Sequence, residues 1–160
     1  EAGLPNGSTS YYARSRRDLI RLVMEQLSAE SQADLTDIEV PGKLTVRQAT
    51  DLVGRLAERL ILNGDAQAAR FALMFEVRDD DELRRELTVD APVRRSFDEK
   101  AVELLRALGV ADPEEKAPEF VALVDAVLMY RAVDAAPIDP AGVVETYLDG
   151  LVRRKPTAAL

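Results

Sequence analysis

This 160-residue chain contains no cysteine, no histidine and no tryptophan. Without cysteine there is neither a disulfide nor a thiol nucleophile, and without both residues the usual zinc ligands are missing, as is the imidazole base of a serine or cysteine relay. An enzyme would be left with carboxylate, lysine or tyrosine chemistry, and no pairing of those groups stands out from ordinary surface charge. No enzymatic activity, cofactor or metal is therefore expected. The run Asp79-Asp80-Asp81-Glu82 lacks the glycine and ligand spacing of a calcium loop and reads as helix-start charge. No stretch approaches the roughly 18 apolar residues of a membrane span, and no signal peptide is visible. The expectation is a cytoplasmic protein without a membrane partner.

Aromatic residues are also few, four phenylalanines and four tyrosines, against an apolar content of 47% and a charged content of 31%. Alanine, leucine, valine, arginine and glutamate dominate, so helix formers prevail, in a length that suits one domain with a real core. The expected fold class is all-α.

The net charge of −8 is unevenly spread. Residues 1–23 hold Arg14, Arg16, Arg17 and Arg21 against Glu1 and Asp18, a net +2 that leaves −10 for the rest. Only one end is built to approach phosphate, and the acidic body would turn that end toward it.

Helix signals recur along the chain. Ser15 with Asp18 reads as an N-cap with an acidic third residue, followed by Leu19, Ile20, Val23, Met24 and Leu27 at helical spacing. A Ser, Asp and Thr-rich stretch ending at Pro41-Gly42 reads as a loop. Thr45 and Gln48 form a capping box, with an apolar stripe of Ala49, Leu52, Val53, Leu56, Leu60 and Ile61 behind it, closed by Asn63-Gly64. The helix expected from about Asp65 to Arg78 is apolar nearly all round and should be central. Pro92 must kink or break the next one before it resumes to Leu108 and stops at Gly109. Asp112-Pro113 and Asp139-Pro140 start the last two helices, and Pro118 suggests an irregular first turn in the former. From Phe120 to Tyr130 only Asp125 is charged, so that helix must be covered on two sides.

The opening residues carry the most specific signal. Gly3 suits a sharp turn between two helices, and the short polar and aromatic side chains after it are those that reach base edges and phosphates in the major groove. Ala2, Gly3, Leu4, Gly7, Tyr12, Ser15 and Leu19 fall without a gap on the helix-turn-helix pattern of the TetR family of bacterial transcription regulators, which this segment resembles. Ser8 stands for the family's usual threonine, Ser10 for its first tyrosine, Ala13 for its phenylalanine and Arg16 for its backbone-touching lysine. Ala107 to Val110, Asp112 to Glu114, Leu123 to Leu128 and Tyr147 to Leu151 resemble, more loosely, the carboxy-terminal helix pair through which that family dimerises.

The resemblance implies a TetR-type helical bundle. Residues 1–14 would be the end of the DNA-binding head, its first helix and most of its second lying ahead of Glu1; residues 15–154 would be a ligand-binding and dimerisation domain, and 155–160 a tail. It implies a homodimeric regulator, in the family's common mode a repressor, that binds a palindromic double-stranded operator and is released by a small-molecule effector. Asn6, Ser8, Thr9 and Tyr11 are candidates for base-edge contacts, and Tyr12, Arg14, Arg16 and Arg17 for phosphate contacts. Met24, Leu56, Leu60, Phe71, Met74 and Phe75, with Arg70, read either as packing core or as the wall of a ligand cavity. Phe120, Val121, Val124, Asp125 and Leu128, with Val144, Tyr147, Leu148 and Leu151, are the candidate dimer interface. The competing reading is a dimeric helical scaffold or small-molecule binder that does not touch DNA, which the acidic balance mildly favours.

Overall fold

The computed structural model describes residues 15–62 and 64–153. Among them seven helices follow one another: α1 (Arg16–Thr36), α2 (Val46–Leu62), α3 (Gly64–Glu76), α4 (Asp81–Leu87), α5 (Pro92–Ala107), α6 (Pro113–Ala132) and α7 (Pro140–Arg153). No strand occurs among the described residues, and the fold class is all-α.

Local chemistry accounts for most of the boundaries. The Ser15 side chain accepts from the Asp18 amide at 3.1 Å and starts α1. At α2 the box closes in both directions: the Thr45 amide donates to Gln48 Oε1 at 2.9 Å, and the Gln48 amide to Thr45 Oγ1 at 3.3 Å. Asp80 caps α4 by accepting from the Leu83 amide. Pro92 breaks the chain rather than kinking it, taking the first helical position of α5, where its missing N–H costs nothing. Past the end of α5, Gly109 adopts φ +73° while the Val110 amide reaches back to the Leu105 carbonyl at 3.0 Å, a Schellman stop that favours glycine.

Four expectations need correction. The helix α1 runs through the Ser-rich stretch to Thr36, because Ser31 and Leu35 are buried and continue the stripe of Ile20 and Met24. Within that helix Leu19 and Val23 point outward, with Leu22 beside them. The helix α3 is peripheral: only Gln67 and Phe71 are buried, and Phe75 is 65% exposed. Four of its eight apolar residues are alanines, which bury little area and so do little to draw a helix inward. In α6, Pro118 is accommodated inside a continuous helix; Asp112 sits at φ 53° without a side-chain cap bond, and its carbonyl closes the first turn by accepting from Glu115 and Lys116.

The helix α6 is the central one, touching α2, α3, α5 and α7. The largest core joins α2, α5, α6 and α7 through residues such as Ala49, Leu105, Phe120 and Leu148. A second, built on Leu35, Leu56, Leu60, Phe71 and Leu128, ties α1 and α3 to it. A small third cluster of Ile20, Met24, Val77 and Leu83 seats the start of α1 on α4.

Candidate ligand cavity and dimer face

Between these clusters lies a cavity of about 490 Å³, within the range of small-molecule sites. The helix α1 supplies Met24, Ser28, Ser31 and Leu35 to its wall; α2 supplies Leu52, Val53, Leu56 and Leu60; α5 and α6 close it with Phe97, Leu104, Val121 and Leu128. Most of the lining is aliphatic or aromatic, so an apolar ligand would replace water against it at little cost.

Charge enters on one side, from three helices. Arg70 of α3 donates through Nη2 to Asp125 Oδ1 of α6 at 2.7 Å and through Nε to Gln67 Oε1 at 3.1 Å, with its guanidinium carbon 4.3 Å from the centre of the Phe71 ring. Arg94 of α5 donates through Nε to Asp98 Oδ2 at 3.2 Å, and its Nη1 lies 3.8 Å from Asp125 Oδ2. All four charged side chains line the cavity and are 22–32% exposed.

Of the residues proposed for a cavity from the sequence, Met24, Leu56, Leu60, Arg70 and Met74 reach its wall. Phe71 is buried behind it in the second core, and Phe75 faces outward, so neither lines it. Ser28, Ser31, Arg94 and Asp98 were not among them. Ser31 carried a usable signal, since Ile20, Met24, Leu27, Ser31 and Leu35 repeat at three and four residues.

The dimer candidates fall elsewhere. Phe120, Val121 and Leu128, together with Val144, Leu148 and Leu151, are buried in the chain's own core, and Val124 and Asp125 join Phe120, Val121 and Leu128 on the cavity wall. Tyr147 is half-buried, stacking on Phe120 with ring centres 5.9 Å apart and donating to Glu119 Oε2 at 3.3 Å. A side chain already covered by its own chain gains nothing more from association. The opposite face of α6 presents Ala122, Ala126, Tyr130 and, just past its end, Val133 to the outside, and Gly150 and Val152 of α7 are exposed as well.

Among the DNA-contact candidates, Asn6, Ser8, Thr9, Tyr11, Tyr12 and Arg14 lie outside the described residues. Arg16 and Arg17 open α1 and bind acidic side chains at the junction of α3 and α4: Arg16 pairs with Glu76, and Arg17 with Asp80 and Glu82 at 3.0 and 3.1 Å. One turn on, Arg21 pairs with Glu86.

The helical body has a counterpart among known families. Residues 44–154 match the family model described as the tetracyclin repressor-like C-terminal domain. The chain belongs to the TetR family. The TetR family is one of transcription regulators; among the chain's described residues no helix is long and apolar enough to cross a membrane. No curated protein and no solved structure gives a significant match to the chain.

Proposed function

We propose that this TetR-family chain is a homodimeric, ligand-released transcription regulator, most simply a repressor, acting on a two-fold symmetric operator in the cytoplasm. The observation that carries the reading is the cavity: its wall includes Met24, Ser28 and Ser31 of α1, the helix that leads directly out of residues 1–14. In this reading 1–14 end the DNA-binding head, 15–154 bind effector and partner, and 155–160 are a tail. The outward stripe of Leu19, Leu22 and Val23 on the first turns of α1 is suited to seat the head.

The partner surface we assign is the outer face of α6, through Ala122, Ala126, Tyr130 and Val133, together with the exposed Gly150 of α7. Small residues there let two helix pairs approach closely in a two-fold contact. Two heads would then be held about 34 Å apart, one turn of DNA. At 21 residues α1 is a lever roughly 30 Å long, so a small shift where it lines the cavity is carried to the head. Effector and operator compete because each stabilises a different position of that lever.

Selection of DNA by gel shift with the full-length dimer tests this reading. The expected result is a palindromic site released by a cavity-binding ligand. Failure to select any sequence, or an operator affinity untouched when the cavity is filled, would overturn it.

A further inference from the structure

On the reading that the cavity holds the effector, its wall also shows where a ligand gets in. Among the described residues that line it, Val89 and Pro118 are the two that are exposed. Pro118 stands inside the continuous helix α6, with Ala117 and Phe120 on either side of it buried in the largest core. That part of the wall cannot open without disturbing the core itself.

Val89 stands in the connection 88–91 between α4 and α5 and is 65% exposed, an apolar side chain at the edge of an apolar space. Little holds this segment down. The helix α4 buries one side chain, Leu83, in the small third cluster and contributes none to the two larger ones. Thr88 leaves the helical region at φ −126° and ψ −86°, its hydroxyl donating to the Arg84 carbonyl at 2.6 Å. The Asp90 amide donates to the Arg85 carbonyl at 2.8 Å, and Arg95 of α5 donates to the Asp90 carbonyl at 3.1 Å. Arg85 and Asp90 add an ion pair at 3.4 Å, but both side chains are more than half exposed, and such pairs contribute little. A segment with few buried contacts opens at a small fraction of the cost of unfolding. At its far end the buried Ala91 and Pro92, at the first position of α5, anchor it.

We propose that residues 88–91 form a strap over the mouth of the cavity, and that an apolar effector enters and leaves past Val89 while the wall at Pro118 stays shut. Val89 offers the incoming molecule its first apolar contact. Leu87 and Thr88, at the root of the strap, and Ala91, at its other end, continue that contact inward, since all three line the cavity. Entry and exit cross the same barrier, so a change at the mouth alters both rates by one factor and leaves the affinity as it was.

The test is stopped-flow binding of N-phenyl-1-naphthylamine, a fluorescent apolar dye, to the full-length protein. Val89→Trp crowds the mouth, and squeezing past it should cost what overpacking does, slowing association and dissociation alike by about tenfold. Val89→Gly should speed both. Pro118→Trp should leave both rates unchanged. The exposure of Val89 makes its variants safe for folding, which circular dichroism checks. Slowing by Pro118→Trp but not by Val89→Trp would put the mouth at α6 and overturn the proposal. A Val89→Trp protein whose affinity shifts without a matched change in the two rates would also overturn it, making Val89 an ordinary part of the wall. Dye binding that follows these rates but never alters operator affinity would sink the effector reading alone, whereas absence of dye binding to wild type removes both.

Discussion

Arg21 of α1 grips Glu86 of α4 by a two-nitrogen contact: Nε lies 2.8 and 3.0 Å from the two carboxylate oxygens, and Nη2 lies 2.8 Å from Oε2. This fork geometry fixes orientation as well as distance. With Arg16 and Arg17 bound to Glu76, Asp80 and Glu82, it fastens the start of α1 to the α3–α4 junction. The same stretch of α1 buries Ile20 and Met24 against Val77 and Leu83. The helix α1 is thus attached by charge on one edge and by apolar contact beneath.

The attachment is sensitive to acid. The hydrogen bond from Arg21 lowers the Glu86 pKa below the ordinary carboxylate value, against the smaller opposing effect of burial. A carboxylate depressed in the folded state stabilises fully above its unfolded pKa, about 4.3, and loses that contribution as pH falls through the folded value. Glu86→Gln should therefore lower the urea midpoint at pH 7, and the gap to wild type should shrink as pH is lowered from 6 to 3.5. A gap of constant size across that range would mean that the carboxylate charge is not what Glu86 contributes.

Core and surface leucines should separate cleanly. Leu148 of α7 has no exposed surface and packs in the core that joins α7 to α2 and α6, so Leu148→Ala should cost about 2–5 kcal/mol. Leu62, at the end of α2, is 87% exposed, and Leu62→Ala should stay within about 0.5 kcal/mol of wild type. Neither residue lines the cavity, so displacement of a bound dye should be unaffected in folded Leu148→Ala protein. Chemical denaturation of the two variants checks the ranking.

What could be read from the sequence was what short-range chemistry dictates. Ser15, Thr45 with Gln48, and Pro92 work within one turn of themselves, and each acts in the structure where the residues say it should. Apolar periodicity was less decisive, because it marks faces without saying which neighbour covers them. In α6 both faces are apolar; the larger Phe120 and Leu128 turn inward and the smaller Ala122 and Ala126 outward, and only the packing of α2, α3, α5 and α7 around it decides this. Arg70 and Asp125 are 55 positions apart, and no local rule brings them together. The charged side of the cavity was hidden for that reason.

If the outer face of α6 is the dimer surface, a charge at its centre should separate the subunits without unfolding them. Ala126 is exposed in the single chain, so Ala126→Arg has room in the monomer and clashes only in the pair. Sedimentation should change from dimer to monomer with unaltered helical circular dichroism. A dimer that persists in this variant would place the contact elsewhere.

Arg16 has two calls on its guanidinium. In the structure it pairs with Glu76, with Arg16 largely exposed; in the proposed operator complex it would contact a phosphate. Exposed ion pairs are weak and screened by salt, so exchanging a carboxylate for a phosphate is nearly neutral and leaves counterion release as the net gain. Arg16→Ala in the full-length dimer should weaken binding to all DNA sequences alike and reduce the slope of log affinity against log salt by about one. Glu76→Gln should tighten binding without changing base preference, because the cation no longer has to leave its carboxylate. Thr9→Ala and Tyr11→Ala should instead alter which bases are preferred. Salt titrations of operator binding separate these cases, and an Arg16→Ala slope equal to that of wild type would remove Arg16 from the phosphate contacts.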